Sequence, residues 1–119
     1  MKTLLKSQRS NLCIAMLMLV IMNAGCKKKS DAPSSPGTNE VWMQNISFKP
    51  STITVAVNTT IKWTNKDNMD HTATSITAGV FDSGTLGNGG TFSHQFTTTG
   101  TFTYLCNFHS GMNGTVIVK

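Results

Sequence analysis

Cys106, His109 and Met112 follow one another at three-residue intervals in the stretch Tyr104-Leu105-Cys106-Asn107-Phe108-His109-Ser110-Gly111-Met112. A thiolate, an imidazole and a thioether suit copper, which favours sulfur when reduced and nitrogen when oxidised. Two histidines, one cysteine and a weak axial methionine form the ligand pattern of a blue-copper electron-transfer centre. The chain offers two further histidines to complete it, His71 after a polar loop and His94 in the middle of residues 91–96. Other chemistries compete for the same residues. Cys106 could be a buried core thiol, since its strand parity fits packing. A Cys-His nucleophile would need an orienting group, and no Asn or Asp partner to His109 is evident. Zinc could be held by Cys106, His109, His71 and His94, but Met112 would then have no role. The Cys-x-x-Cys-His pattern of haem attachment is absent.

Cysteine counting sharpens the question, because the chain has only three. Cys13 lies in an apolar run, residues 12–22, preceded by Lys2, Lys6 and Arg9. That run is too short to span a bilayer and reads as the centre of a secretory signal over residues 1–25. Asn23-Ala24-Gly25-Cys26 resembles the bacterial lipoprotein signal, in which the cysteine is lipidated and becomes the first residue. Asn23 departs from the leucine usual there, which leaves ordinary cleavage nearby as the alternative. With Cys26 acylated, Cys106 is the one thiol expected in the folded part, and no disulfide is available to it. A lone thiol in an exported protein calls for burial, catalysis or a metal.

The net charge of +5 does not belong to the fold. Three of the ten basic residues fall in the signal and three are Lys27, Lys28 and Lys29; the rest, Lys49, Lys62, Lys66 and Lys119, face Glu40, Asp67, Asp70 and Asp82. A nearly neutral domain without a basic face excludes nucleic acid as a partner. The lysine trio fits an anionic membrane surface beside a lipid anchor, at about 1 kcal/mol per base, or simply a solvated tail. Residues 26–40 read as a lipidated N-terminus and flexible tether, rich in Ser, Pro, Gly and Lys. Its last fourteen residues reach about 48 Å stretched and about 20 Å as a coil. Four of the seven methionines, Met1, Met16, Met18 and Met22, lie in the signal, so methionine abundance does not argue for copper storage.

From Val41 onward short segments rich in Thr, Val, Ile and Phe recur between turn residues, and no helical period is found. The expected strands are 41–48, one around Ile53, Val55 and Val57, 61–65, 71–76, 91–96, 101–106 and 114–119. Seven or eight strands at this spacing predict an all-β two-sheet sandwich or flattened barrel over residues 41–119. Phe102, Tyr104 and Cys106 share one face by the two-residue period, as do Phe92, His94 and Phe96. A domain this small without disulfides gains from a metal as a staple.

The stretch from Tyr104 to Val116 resembles the last ligand loop of the cupredoxins, particularly plastocyanin-like and amicyanin-like proteins. The resemblance extends through Trp63-Thr64-Asn65-Lys66-Asp67, His71-Thr72, and Gly90-Thr91-Phe92-Ser93 to Gly100-Thr101-Phe102. It implies a cupredoxin-like Greek-key sandwich with one type 1 copper ion, held by His71, Cys106, His109 and Met112. The short loop is of the amicyanin kind. The resemblance further implies a monomeric electron shuttle rather than an enzyme. Its partners would be redox proteins such as cytochromes or copper and haem oxidoreductases, and the lipoprotein-like signal is what points to the periplasm or cell envelope of a bacterium as their meeting place. His109 would be the exit for the electron, with Phe108, Gly111, Met69 and Val80 as docking candidates. A copper carrier or store without redox turnover is the other reading. His94, among aromatics, is expected to pack rather than ligate. Thr72 stands where some cupredoxins have asparagine after the first histidine.

Overall fold

The structure is a computed structural model and describes residues 33–119. The expected signal, Cys26 and the tether up to residue 32 lie outside the described residues. Eight strands follow in order: β1 (Glu40–Met43), β2 (Phe48–Lys49), β3 (Thr52–Val55), β4 (Thr59–Asn65), β5 (Thr74–Ser75), β6 (Thr91–Phe96), β7 (Gly100–Leu105) and β8 (Asn113–Val118). They form two four-stranded sheets, ordered β2-β1-β4-β6 and β3-β8-β7-β5. β1 pairs with β4 and β3 with β8 in parallel, and the remaining neighbours are antiparallel. This is the all-β sandwich expected from the strand spacing.

Alternation explains why these segments pack as they do. In β8, Gly114, Val116 and Val118 point inward between less buried neighbours, and in β3 Ile53 and Val55 do the same. Trp63 on β4 is fully buried and lies 5.5 Å from the ring of Tyr104 on β7, so one aromatic from each sheet meets at the centre. Phe81 and Phe92 close around Trp63 at 5.3 and 5.7 Å. Each such ring, removed from water, contributes about 1.5–3 kcal/mol, so this cluster is the main apolar tie between the sheets. Tyr104 lies directly opposite Gly114 in the β7–β8 ladder, and its ring covers the space where a Cβ at 114 would stand.

Three expectations are corrected. Residues 41–48 are not one strand but the hairpin β1–β2, turned at Asn45 and Ile46, whose φ angles are 58° and 53°. The Gln44 amide donates to Ser47 O at 2.9 Å and closes the turn. The strand expected over 71–76 shrinks to Thr74–Ser75, because His71 pairs with the isolated residue Leu86 instead of a strand. Val57, read as part of the third strand, is exposed and sits in the turn before β4.

Because β1 and β4 run parallel, the turn after β1 and the loop after β4 emerge at the same end of the sandwich. β7 delivers Cys106 to that end, and β8 starts from it.

Candidate metal centre

The loop after β4 is braced before it reaches His71. Asn65, fully buried, donates through Nδ2 to Met69 O at 2.8 Å and to Leu86 O at 2.7 Å, and its Oδ1 accepts from the Asp67 amide at 2.8 Å. A buried amide side chain with both ends satisfied holds a loop in one arrangement. His71 then exchanges two backbone hydrogen bonds with Leu86, at 3.1 and 2.8 Å. Its ring is buried, with Nε2 at 2.8 Å from Asp67 Oδ2 and Nδ1 at 3.6 Å from Cys106 Sγ. An ionised carboxylate only accepts, so Nε2 carries the proton and the Nδ1 lone pair faces the sulfur.

The carboxyl of Asp67 titrates below the usual aspartate range. Burial is the largest single influence and opposes this, but the Ile46 and Asn45 amides and the His71 ring together outweigh it.

Cys106 stands just past β7. Its amide donates to Met112 O at 3.0 Å, and the Met112 amide donates to His109 O at 3.2 Å, which folds the loop back on itself. Gly111, at φ 84°, supplies the left-handed residue that this turn requires. The result brings His109 Nδ1 to 3.5 Å from Cys106 Sγ. The sulfur also lies 3.4 Å from the Thr72 amide, which donates to it. The Thr72 hydroxyl accepts from the Asn107 amide at 2.9 Å, so threonine ties the two ligand-bearing loops together.

His71, Cys106 and His109 thus present donor atoms within 4.8 Å of one another. Bonds of about 2.3 Å to sulfur and 2.0–2.1 Å to nitrogen, opened by about 110–120°, separate N and S by about 3.5–3.8 Å. The observed 3.5 and 3.6 Å fit a single ion between them. Met112 is buried on the same loop. His94 is not brought to this cluster: it packs 5.1 Å from Phe81 and 4.8 Å from Phe96. Among the described residues the grouped donors number three, without the fourth that a closed zinc site takes.

Of the docking candidates, Phe108 and Met69 are exposed at 54% and 44%, and Gly111, on the same loop as Phe108, is exposed as well. Val80 is corrected. It follows β5, which runs away from Cys106, and it packs against the core.

A family model for the cupredoxin-like domain matches residues 13–118. The chain belongs to the cupredoxin-like family. Among solved structures, a purple cupredoxin from Nitrosopumilus maritimus is 29% identical with a TM-score of 0.64, over 67% of this chain and 98% of that one. A reduced Cu(I) form of an amicyanin variant at pH 4 is 25% identical with a TM-score of 0.63, over 76% and 87% of the two chains. A second amicyanin variant in its reduced state is 26% identical at the same TM-score and coverage. No curated protein sequence matches. Copper is the cofactor that this cupredoxin's donor set fits, since thiolate and imidazole together serve both of its oxidation states.

Sequence reasoning had marked the ligand candidates but not their supports. Asp67 and Asn65 appeared only within a motif, although an acid four residues before a candidate ligand histidine was a signal available in the sequence.

Proposed function

We propose that this cupredoxin is a blue, type 1 copper electron carrier that moves single electrons between redox partners in the cell envelope. One observation carries the reading: two imidazole nitrogens and a thiolate sulfur converge within 4.8 Å on loops braced by their own hydrogen bonds. In this reading His71 Nδ1, Cys106 Sγ and His109 Nδ1 would hold copper, and Met112 would add a weak thioether donor. Bound copper supplies the one-electron change. The chain's part is to hold the donors still, so that little rearranges as the charge changes. Asn65, Thr72 and the Cys106–Met112 hydrogen bond do this before any ion arrives. His71 is sealed from water, whereas His109 is partly exposed and forms the surface exit. Phe108 beside it offers the apolar surface of a small, short-lived interface. Phe108→Ser should slow transfer to a physiological partner while leaving the visible spectrum unchanged; an unchanged rate removes Phe108 from docking.

The sequence around Cys26 supports attachment to a membrane by lipid, with the following residues as a tether, and the molecule acts as a monomer rather than an enzyme. Adding Cu(II) to the purified protein should give an intense thiolate-to-copper band and its EPR signature, lost on reduction and regained on reoxidation. Binding without cycling would instead support a copper carrier, and a colourless protein would refute both.

A further inference from the structure

Asp67 is held on every side. Its Oδ1 accepts from the Asn45 amide at 2.8 Å, and its Oδ2 from the Ile46 amide at 3.0 Å and His71 Nε2 at 2.8 Å. Its own amide donates to Asn65 and its carbonyl accepts from Asn88 Nδ2, both at 2.8 Å. Asn45 and Ile46 are consecutive left-handed residues, a conformation that costs about 1–2 kcal/mol each outside glycine and suits a β-branched isoleucine badly. That conformation is what aims two successive amides at one carboxylate. Ile46 is exposed, so no packing of its side chain accounts for the turn.

We propose that Asp67 is a positioning residue for the copper centre: fixed by the β1–β2 turn, it locks His71 in the Nε2–H tautomer and sets the balance between Cu(II) and Cu(I). The inference rests on copper binding at His71, Cys106 and His109. A carboxylate behind an imidazole makes the ring a stronger donor and places negative charge one residue beyond the ion. Both effects favour the more highly charged state. A purely structural Asp67 would hold the turn against the loop and leave that balance alone.

Asp67→Asn separates the two. It removes the charge and, by putting an NH2 group among three N–H donors, cannot satisfy all of them. The Cu(II)-to-Cu(I) affinity ratio of the full-length protein should fall about tenfold, a rise of about 59 mV for a one-electron couple. Cu(II) affinity itself should fall about 10–100-fold. A potential equal to wild type, with only the melting temperature reduced, would overturn the proposal. Should the variant not fold, nitrogen-15 NMR of the wild-type apoprotein decides: a proton on His71 Nε2 is expected, and one on Nδ1 overturns the idea. Failure of the copper reading shows separately, as wild type that never turns blue, and would take this inference with it.

Discussion

Gly114→Ala tests how the two sheets are closed. Gly114 lacks a left-handed φ, so its backbone would accept alanine, and by chain entropy alone the substitution should stabilise by about 0.4–1 kcal/mol. Tyr104 reverses the sign. A Cβ at 114 would overlap Tyr104 Cζ and Oη and lie 2.8 Å from Cε1, against a comfortable carbon separation of about 3.5–4.0 Å. The ring cannot give way cheaply, because Phe48 at 4.6 Å, Trp63 at 5.5 Å and Phe81 at 5.8 Å hold it in place. Overpacking of this kind costs about 1–3 kcal/mol, and the rigid surroundings put the expected loss near the upper end, about 2–3 kcal/mol. At about 4–8 °C per kcal/mol for a domain of this size, the melting temperature should drop by about 10 °C or more. Thermal unfolding followed by circular dichroism measures it. Tyr104 precedes Cys106 by two residues on β7, so the copper-loaded variant should also show a displaced visible band. Combining the change with Tyr104→Phe, which removes the overlapping oxygen, should recover part of the loss in a double-mutant cycle. A melting temperature equal to or above that of wild type would refute the reasoning, since the chain-entropy term alone would raise it by about 2–8 °C.

Tyr104, the chain's one tyrosine, is pushed up to about 12 by burial, with Trp63 partly opposing although no hydrogen bond forms between them. Spectrophotometric titration should therefore show no tyrosinate near pH 10 while the protein is folded. Stability should decline as pH rises above about 10, where only the unfolded chain ionises; a step at the ordinary value would contradict the buried ring. His94 titrates below the usual imidazole value of about 6.5 because burial disfavours its charge. As pH falls below about 6.5 the unfolded chain takes up this proton first, so stability is lost on the acid side. Urea unfolding of His94→Gln at pH about 7.5 and 5.5 should show a smaller difference than wild type, and an equal difference would place the cause elsewhere. Met112→Gln should keep the blue band and lower the potential by about 59 mV or more, a tenfold change in affinity ratio. An unaltered potential in cyclic voltammetry would mean that Met112 does not face the ion.

Cys106, His109 and Met112 were legible in the sequence because ligands on one short loop keep their spacing in any fold that closes the loop. The inward faces of β6, β7 and β8 were legible because a strand repeats every two residues and each of these is buried on one side. Where those local rules are overruled by something distant in the chain, only the tertiary structure decides. The β1–β2 turn contains neither glycine nor proline, and the carboxylate that its amides meet lies 21 and 22 residues further on. Leu86, remote from His71, replaces the strand partner that residues 71–76 were expected to find. Gly114 reads as an ordinary strand residue until Tyr104 is laid across it. The choice of His71 over His94 rested, at the level of sequence, on the resemblance and on the aromatic neighbours of His94, and in space it follows from which loop the parallel pairing of β1 and β4 brings to the end where Cys106 emerges. Donor chemistry is a property of residue types and needs no fold to be recognised, whereas the proton on one ring nitrogen depends on a hydrogen bond that exists only after the chain has closed.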